Sequence, residues 1–185
     1  MAFAEGKFCL EHCPDRAAAE AEAARKLEAS EEHRDLCLSG GAFEGLNLSG
    51  HRFYGCSFAG AALKNVLFTN AVFRLCFFDG AVLESCDFSR VDAQFCSFGR
   101  ARLDNVSFEN SELLHASFGG AAIRDSTFNN SNLYDSRFIR CELVNVDMVD
   151  CDLKRVYVLP ARQENVSFKY SNTMEAIRDL EHLYL

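Results

Sequence analysis

One apolar residue recurs at every fifth position of this chain, and this period constrains the fold more than any other feature of the sequence. The run extends from Leu38 to Val158 over twenty-five consecutive positions, and Ala93 is its only small member. A second column, made mostly of smaller residues, lies two positions before the first. A period of five fits neither the 3.6 residues of a helical turn nor the two-residue alternation of a flat strand, so the pattern predicts a solenoid.

Residue identity also repeats every twenty positions, which predicts four five-residue units in each coil. Leucine or isoleucine recurs from Leu63 to Leu143 in steps of twenty, and phenylalanine recurs in the same way from Phe58 to Phe138. If the large residue and the small residue two positions earlier both point inward, each unit is a short extended piece followed by a corner. Four such pieces close a square coil in which identical side chains stack.

These units resemble those of the pentapeptide repeat family, whose motif is a small residue, a polar residue, a central Leu or Phe and two variable polar residues. Residues 61–65 (Ala-Ala-Leu-Lys-Asn), 86–90 (Cys-Asp-Phe-Ser-Arg) and 101–105 (Ala-Arg-Leu-Asp-Asn) match this motif. The resemblance covers roughly residues 36–158 and implies an all-β solenoid, a right-handed quadrilateral β-helix of about six coils. We expect an N-terminal helical cap at 1–35, the β-helix at 36–170 and a C-terminal capping helix at 171–185.

The segment before the repeat is rich in Ala, Glu, Lys and Arg and predicts a helix of about twenty residues. Pro14 stands at its start and the run continues through Arg34. The first coil of a solenoid exposes core and an unpaired strand edge, so a cap is the expected role of this helix.

A structural zinc site is a second hypothesis for the same region. Cys9 and Cys13 are four residues apart, as are His33 and Cys37, which gives the pattern C-x3-C…H-x3-C. This spacing lies within the looser limits of structural zinc sites, and Cys37 lies outside the inward column of small residues. Both hypotheses, cap and zinc site, stay open on the sequence alone.

The C-terminal residues predict a second helix. Asn172 followed by Glu175 resembles a capping box, and Ile177, Leu180 and either Leu183 or Tyr184 form an apolar face at helical spacing. In topoisomerase-directed members of the family, a C-terminal helical element joins two monomers. The resemblance therefore implies a possible homodimer through this helix, and the alternative is a monomer whose helix covers the last coil.

Charge and cysteine usage limit the classes of function. The 185 residues carry a formal net charge of −8 with no basic stripe, so we expect no direct nucleic-acid binding. The nine cysteines are an odd number, and six of them occupy the inward small column, where a thiol serves as a small apolar group. With no signal peptide and no long apolar run, a cytoplasmic protein without membrane contact is expected.

No catalytic group of residues emerges, so the chain is predicted not to be an enzyme. We expect instead a rigid scaffold for protein–protein interaction whose partner is unknown. The alternative, implied by the family resemblance, is mimicry of duplex DNA by a binder of DNA gyrase or topoisomerase, as in quinolone-resistance proteins. That role requires a continuous acidic surface, and here the outward acidic residues are interspersed with Lys and Arg.

Three large apolar residues occupy outward positions of the repeat and form the candidate partner-binding surface. A twenty-residue coil places Leu75 directly beside Phe95, with Phe77 just around the corner. Exposed apolar groups clustered on a rod indicate a contact site. Two alternatives remain: Phe95 folds back toward the gap left by Ala93, or the N-terminal segment covers the cluster.

Overall fold

The chain folds as a parallel β-solenoid of about seven turns preceded by one helix, which confirms the predicted fold. The computed structural model describes residue 13 and residues 15–179. Paired strands are offset by twenty residues, so that Phe53 lies beside Phe73 and Leu63 beside Leu83. One coil therefore takes twenty residues, as the repeat of residue identity predicted.

Short strands joined by corners make up each coil. Helix α1 comprises Arg16–Ala29, and a 3₁₀ helix comprises Thr173–Glu175. The strands are β1 (Glu32–Arg34), β2 (Ala42–Glu44), β3 (Arg52–Tyr54), β4 (Ala62–Lys64), β5 (Val72–Arg74), β6 (Val82–Glu84), β7 (Asp92–Gln94), β8 (Arg102–Asp104), β9 (Ala122–Thr127), β10 (Arg137–Ile139), β11 (Glu142–Asp147), β12 (Tyr157–Leu159) and β13 (Arg162–Ser167). They form parallel sheets in the orders β1-β3-β5-β7, β10-β12 and β13-β11-β9-β8-β6-β4-β2.

The solenoid has four faces, and each contributes one column of large residues to the core. We number the faces by the chain position at which each column begins: the first face starts at residue 33, the second at 38, the third at 43 and the fourth at 48. Each column then continues in steps of twenty. The second face, which carries the surfaces described below, is held mainly by single parallel bridges such as Phe77 to Ser97 and Ser117 to Arg137.

Stacked phenylalanine rings fill the core. Eleven phenylalanine side chains are almost completely buried. The Phe98 ring lies 4.8 Å from Phe78 and 4.9 Å from Phe118 in nearly parallel stacks, and it meets Phe88 and Phe108 of the fourth face edge-on. These are the two ring arrangements that aromatic quadrupoles favour. The core thus consists of one repeated shape in contact with its own copies.

The inward small column contains thiols, which stay protonated, and hydroxyls, which form hydrogen bonds to the backbone. Burial raises the pKa of the Cys86 thiol to about 11 and that of Cys141 to about 12, which keeps these thiols protonated and inert. Ser111 Oγ donates to the Phe88 carbonyl at 2.9 Å and accepts from Val91 N at 3.1 Å. All six cysteines predicted for this column are buried: Cys56, Cys76, Cys86, Cys96, Cys141 and Cys151.

Helix α1 covers the N-terminal end of the core. Ala23 and Leu27 are buried against the first coil. Arg16 Nη2 donates to the Gly40 carbonyl at 2.6 Å, and Glu20 Oε1 accepts from the backbone nitrogen of Ala42 at 2.9 Å. The helix thus both packs on the core and supplies partners to the first coil, which supports the capping role. No described helix is both long and apolar enough to span a bilayer.

The solenoid begins earlier than residue 36, where the β-helix was predicted to start. Strand β1 already lies in the coil, with His33 beside Phe53 in the column of large residues. Helix α1 accordingly ends at Ala29 and not near Arg34. The apolar period missed this unit because His33, an aromatic but polar residue, occupies the central position.

The helix predicted to open at Asn172 does not form over the described residues. Only the 3₁₀ helix follows, and Ile177 then bridges Tyr157 in an extended conformation, with its carbonyl accepting from Val158 N at 2.8 Å. The Asn172 side chain caps no helix, because its Oδ1 accepts from Leu153 N of the coil below. Leu180 and Leu183 lie outside the described residues, and the homodimer through this segment stays a prediction.

Replacement of a mid-column ring should strongly destabilise the fold. We expect Phe98→Ala to lower the free energy of unfolding by about 3–5 kcal/mol, because a narrow stacked core relaxes little around the hole. Outward-facing Arg137→Ala should change it by less than about 0.5 kcal/mol. Denaturant melts measure both values. Equal losses at the two positions would contradict the inward assignment of the Phe98 column.

Two histidines close the N-terminal end of the core in their neutral form. His33 Nε2 lies 3.2 Å from His51 Nδ1, and the His33 ring stacks on Phe53 at 4.7 Å. Burial lowers the pKa of both imidazoles, and for His33 the neighbouring His51 lowers it further. Two facing nitrogens share one hydrogen bond only while at least one ring is neutral.

This pair should make stability depend on pH. The unfolded chain takes up these protons more readily than the folded chain, so the contribution of the pair is complete above about pH 6.5 and is lost as the pH falls below that value. We expect the double variant His33→Phe/His51→Ala, which restores the residue types of the two inward columns, to have a flatter stability curve between about pH 5 and 7. Thermal melts of both proteins across that range test this. Parallel curves would show that other groups cause the dependence.

Candidate partner-binding surface

The three predicted contact residues lie at exposed positions on adjacent coils. Leu75 is 59% exposed, Phe77 46% and Phe95 53%. Leu75 N donates to the Gln94 carbonyl at 3.2 Å, which sets Leu75 and Phe95 one strand spacing apart. Phe77 follows Leu75 around the corner onto the second face. We call Leu75, Phe77 and Phe95 the apolar patch.

The surroundings of the patch do not support a Phe95 side chain folded toward Ala93, and the cover by the N-terminal segment can be judged for helix α1 only, since residues 1–12 and 14 lie outside the described residues. Ala93 is buried in its own column, and Phe95 points outward, where its ring stacks on His115 at 4.6 Å. His115 Nδ1 lies 3.0 Å from Asp135 Oδ2, so the stacking partner is itself held in place. Helix α1 contacts β2 and the Gly40 carbonyl in the first coils, away from the patch.

Backbone conformation adds to the cost of placing large residues here. Leu75 has φ 54° and Phe95 has φ 55°, in the left-handed region. Asparagine and glycine adopt this conformation most easily, and bulky side chains do so at a cost of about 1 kcal/mol or more. Asparagine occupies the equivalent corner at Asn65, Asn70 and Asn105. Phe95 stacks on His115, but the backbone conformation itself does not favour Leu or Phe at these two corners.

An isolated apolar residue on the opposite face provides a comparison. Leu67 is 41% exposed and precedes Phe68 as Phe77 precedes Phe78. Ten residues are half a coil, so Leu67 and Phe77 project from opposite faces. Both take part in single parallel bridges, Leu67 with Asn47 and Phe77 with Ser57.

A shallow groove continues along the second face beyond the patch. It has a volume of about 760 Å³. Its lining includes Gly119 and Gly120 together with the apolar residues Ile139, Tyr157 and Leu159. Arg100 and Arg140 flank the two glycines.

The coil ladder sets the spacing of this groove. Arg100 N donates to the Gly119 carbonyl at 2.9 Å, Gly120 N to the Ile139 carbonyl at 2.9 Å and Arg140 N to the Leu159 carbonyl at 2.8 Å. Arg100, Gly120 and Arg140 therefore follow one another in a single column. The two arginine backbones lie two coil spacings apart, about 10 Å.

The described residues do not assemble the predicted zinc site. Among them, no group of three or more His, Cys, Asp or Glu side chains converges to hold a metal ion. His33 faces His51, Cys37 Sγ donates to Ser39 Oγ at 3.5 Å and Cys13 Sγ to the Asp15 carbonyl at 3.6 Å. The fourth predicted ligand, Cys9, lies outside the described residues.

Comparisons with known families agree with the repeat. A model described as pentapeptide repeat region matches residues 96–177, and a model of pentapeptide repeats in eight copies matches residues 37–74 and 56–94. The chain belongs to the pentapeptide repeat family. A search of curated proteins found no match.

Several solved structures resemble this pentapeptide repeat protein at low identity. HetL, a pentapeptide repeat protein involved in heterocyst differentiation regulation from the cyanobacterium Nostoc sp. strain PCC 7120, is 13% identical, with 86% of this chain and 92% of that chain covered and a TM-score of 0.37. Full-length QnrB1, a plasmid-mediated fluoroquinolone resistance protein, is 17% identical over 83% and 86% of the two chains with a TM-score of 0.45. Rfr23 from the cyanobacterium Cyanothece 51142 is 18% identical over 80% and 99%, with a TM-score of 0.36.

Sequence reasoning located the patch but missed the groove. Of the two neighbouring glycines, only Gly120 has a positive φ, at 68°. A Cβ added at Gly119 would meet Ser117 Oγ at 3.7 Å and the Ile139 carbonyl at 3.9 Å, which are ordinary contacts. The signal available in the sequence was the glycine pair: Gly120 lies between Arg100 and Arg140 in the twenty-residue register, and Gly119 beside it occupies a position that needs no glycine.

Proposed function

We propose that this pentapeptide repeat protein is a non-enzymatic scaffold that binds a partner protein through the apolar patch of Leu75, Phe77 and Phe95. The observation that carries the proposal is the exposure of three large apolar side chains at neighbouring positions. Two of them occupy corners where the backbone favours smaller or more polar residues. Clustered exposed aromatic groups are typical of the energetic centre of an interface.

The solenoid suits this role because it presents the patch on a rigid frame. Each coil is hydrogen-bonded to the next, and in the core of these coils the Phe73 ring stacks on Phe53 while the Phe78 ring stacks on Phe58 and Phe98. A surface ordered before binding loses little conformational entropy when a partner docks. The stack on His115 also restricts the Phe95 ring before a partner binds.

The charge pattern favours this role over mimicry of duplex DNA. A duplex mimic requires continuous negative charge along the rod. Here Asp92 is paired with Arg74 and Glu142 with Arg124, and the second face carries arginines that pair with no acid of the described residues. Gyrase binding therefore stays a second hypothesis, and a supercoiling assay with purified gyrase tests it.

We propose a cytoplasmic location for the scaffold. The eight cysteines of the described residues are all free, and seven of them are buried. Free thiols in this number are typical of a reducing compartment.

Two matched variants test the proposed surface. We expect Phe77→Ser to reduce partner capture at least about tenfold, because it removes a large apolar group from the contact. Leu67→Ser removes an equally placed apolar group from the opposite face and should leave capture unchanged. The free energy of unfolding of both variants should lie within about 0.5 kcal/mol of that of the parent protein. Partners captured from the native host by the parent protein are identified by mass spectrometry and quantified for each variant.

The corner residues provide an independent check. Phe95→Asn and Leu75→Asn introduce the residue that other corners already use, so stability should be kept or slightly increased while capture is lost. A strong loss of stability in these variants would assign Phe95 and Leu75 to the fold. Full capture by all three patch variants would place the interface elsewhere.

A further inference from the structure

The second face is the only face of the central coils that carries positive charge without negative charge. Over residues 96–100, 116–120, 136–140 and 156–160 it contains three arginines and no carboxylate, in a chain whose net charge is −8. The other faces of the same coils each contain three or four carboxylates. These are Asp92, Glu112, Asp135 and Asp152 on the first face, Asp104, Asp125, Glu142 and Glu164 on the third, and Glu109, Asp147 and Asp150 on the fourth.

None of the three arginines of this face, Arg100, Arg137 and Arg140, has an ion-pair partner among the described residues, and Arg52 and Arg90 on other faces likewise have none. Arg74, Arg102 and Arg124 each pair with a carboxylate on their own or a neighbouring coil. The nearest acids of the second face, Asp79 and Asp179, belong to the flanking coils.

Shape and charge coincide at the same place. The groove over Gly119 and Gly120 lies between Arg100 and Arg140, and Ile139 and Leu159 supply apolar surface beside it. Gly119 is required neither by backbone conformation nor by a close neighbour, so a side chain is missing here where the fold would accept one. The vacant space and the two unpaired guanidinium groups therefore form one site.

We propose that this groove binds an extended segment of a partner protein in which two acidic side chains flank one large apolar side chain. Alternate side chains of an extended segment project from the same side about 7 Å apart. Two acids four positions apart therefore span about 13 Å, which two long arginine side chains at a backbone separation of about 10 Å can reach. The apolar side chain between them would lie over the two glycines, against Ile139.

A peptide segment fits better than a small anion because the groove is open and lies on the same face of the solenoid as Phe77. This inference rests on the proposed scaffold role and adds the chemistry of the partner to it. An acidic segment anchored between Arg100 and Arg140 would extend a partner already held by the apolar patch. Charge complementarity would also accelerate the encounter with such a partner.

The test uses a short fluorescein-labelled peptide containing Glu-Ser-Leu-Ser-Glu and measures fluorescence anisotropy with the full chain. We expect saturable binding below about 1 mM that weakens with added salt. Peptides with Lys-Ser-Leu-Ser-Lys or Glu-Ser-Ser-Ser-Glu should bind at least about tenfold more weakly. No binding of the acidic apolar peptide up to about 1 mM would overturn the inference.

Variants of the protein locate the binding. Arg100→Gln/Arg140→Gln should weaken binding at least about tenfold, whereas Arg90→Gln, at the same corner position of the fourth face, should leave it unchanged. Gly119→Leu should fill the groove and abolish binding, and Gly119→Ala should reduce it only slightly. Equal effects of Arg90→Gln and the double variant would show nonspecific charge attraction and would overturn the site.

Competing occupants and the scaffold role give separate outcomes. Tighter binding of decanoate or of a duplex oligonucleotide than of the peptide would assign the groove to another ligand class and overturn the inference. Partner capture that is lost in Phe77→Ser but unchanged in Gly119→Leu would leave the scaffold role intact and remove only the groove from it. If Phe77→Ser leaves partner capture unchanged while the peptide still binds specifically, the groove is kept as a binding site and the apolar patch is removed from the scaffold role.

Discussion

The structure depends on the twenty-residue register that stacks each inward side chain on a copy of itself. Phe78, Phe98 and Phe118 follow one another at ring distances of 4.8 and 4.9 Å. An insertion or deletion between them keeps these stacks only if its length is a whole coil. A shift by one unit would place each ring against a different column and lose the stacks. Because this constraint acts only on the core and the corners, it leaves the outward positions free to carry function.

Most of the fold could be predicted from the sequence because its period is set by packing. Inward Phe and Leu residues must recur wherever the coil returns, so the core columns and the coil length were readable directly. The two ends of the solenoid were harder to predict, because single residues there depart from the five-residue period and make contacts that the period does not specify. His33 continues a column without being apolar, and the Asn172 Oδ1 accepts a hydrogen bond from Leu153 N of the coil below and caps no helix.

The candidate sites also differ in how far the sequence could predict them. The patch could be located from sequence, because Leu75, Phe77 and Phe95 are large apolar residues at positions that the period assigns to the outside. The groove depends on relations between coils: Arg100 and Arg140 are forty residues apart, and only the register makes them neighbours of Gly120. The zinc pattern shows the converse, since a plausible spacing in sequence did not bring His33 and Cys37 together with Cys13 in the described residues.

The separation between core and surface also explains how an acidic chain can contain a basic face. In a compact globular domain, an unpaired arginine close to carboxylates usually finds one of them. Here each face is flat and its neighbours turn away at the corners, so Arg102 and Arg124 reach acids on their own face, whereas Arg100 and Arg140 line a groove with glycine and apolar residues and pair with no described acid. The fold therefore keeps charge local to a face. A surface of defined charge and shape can therefore be built on one face of the solenoid without altering the other three. Gly119, a glycine that neither the backbone conformation nor a close neighbour requires, indicates that the second face is the one that carries such a surface.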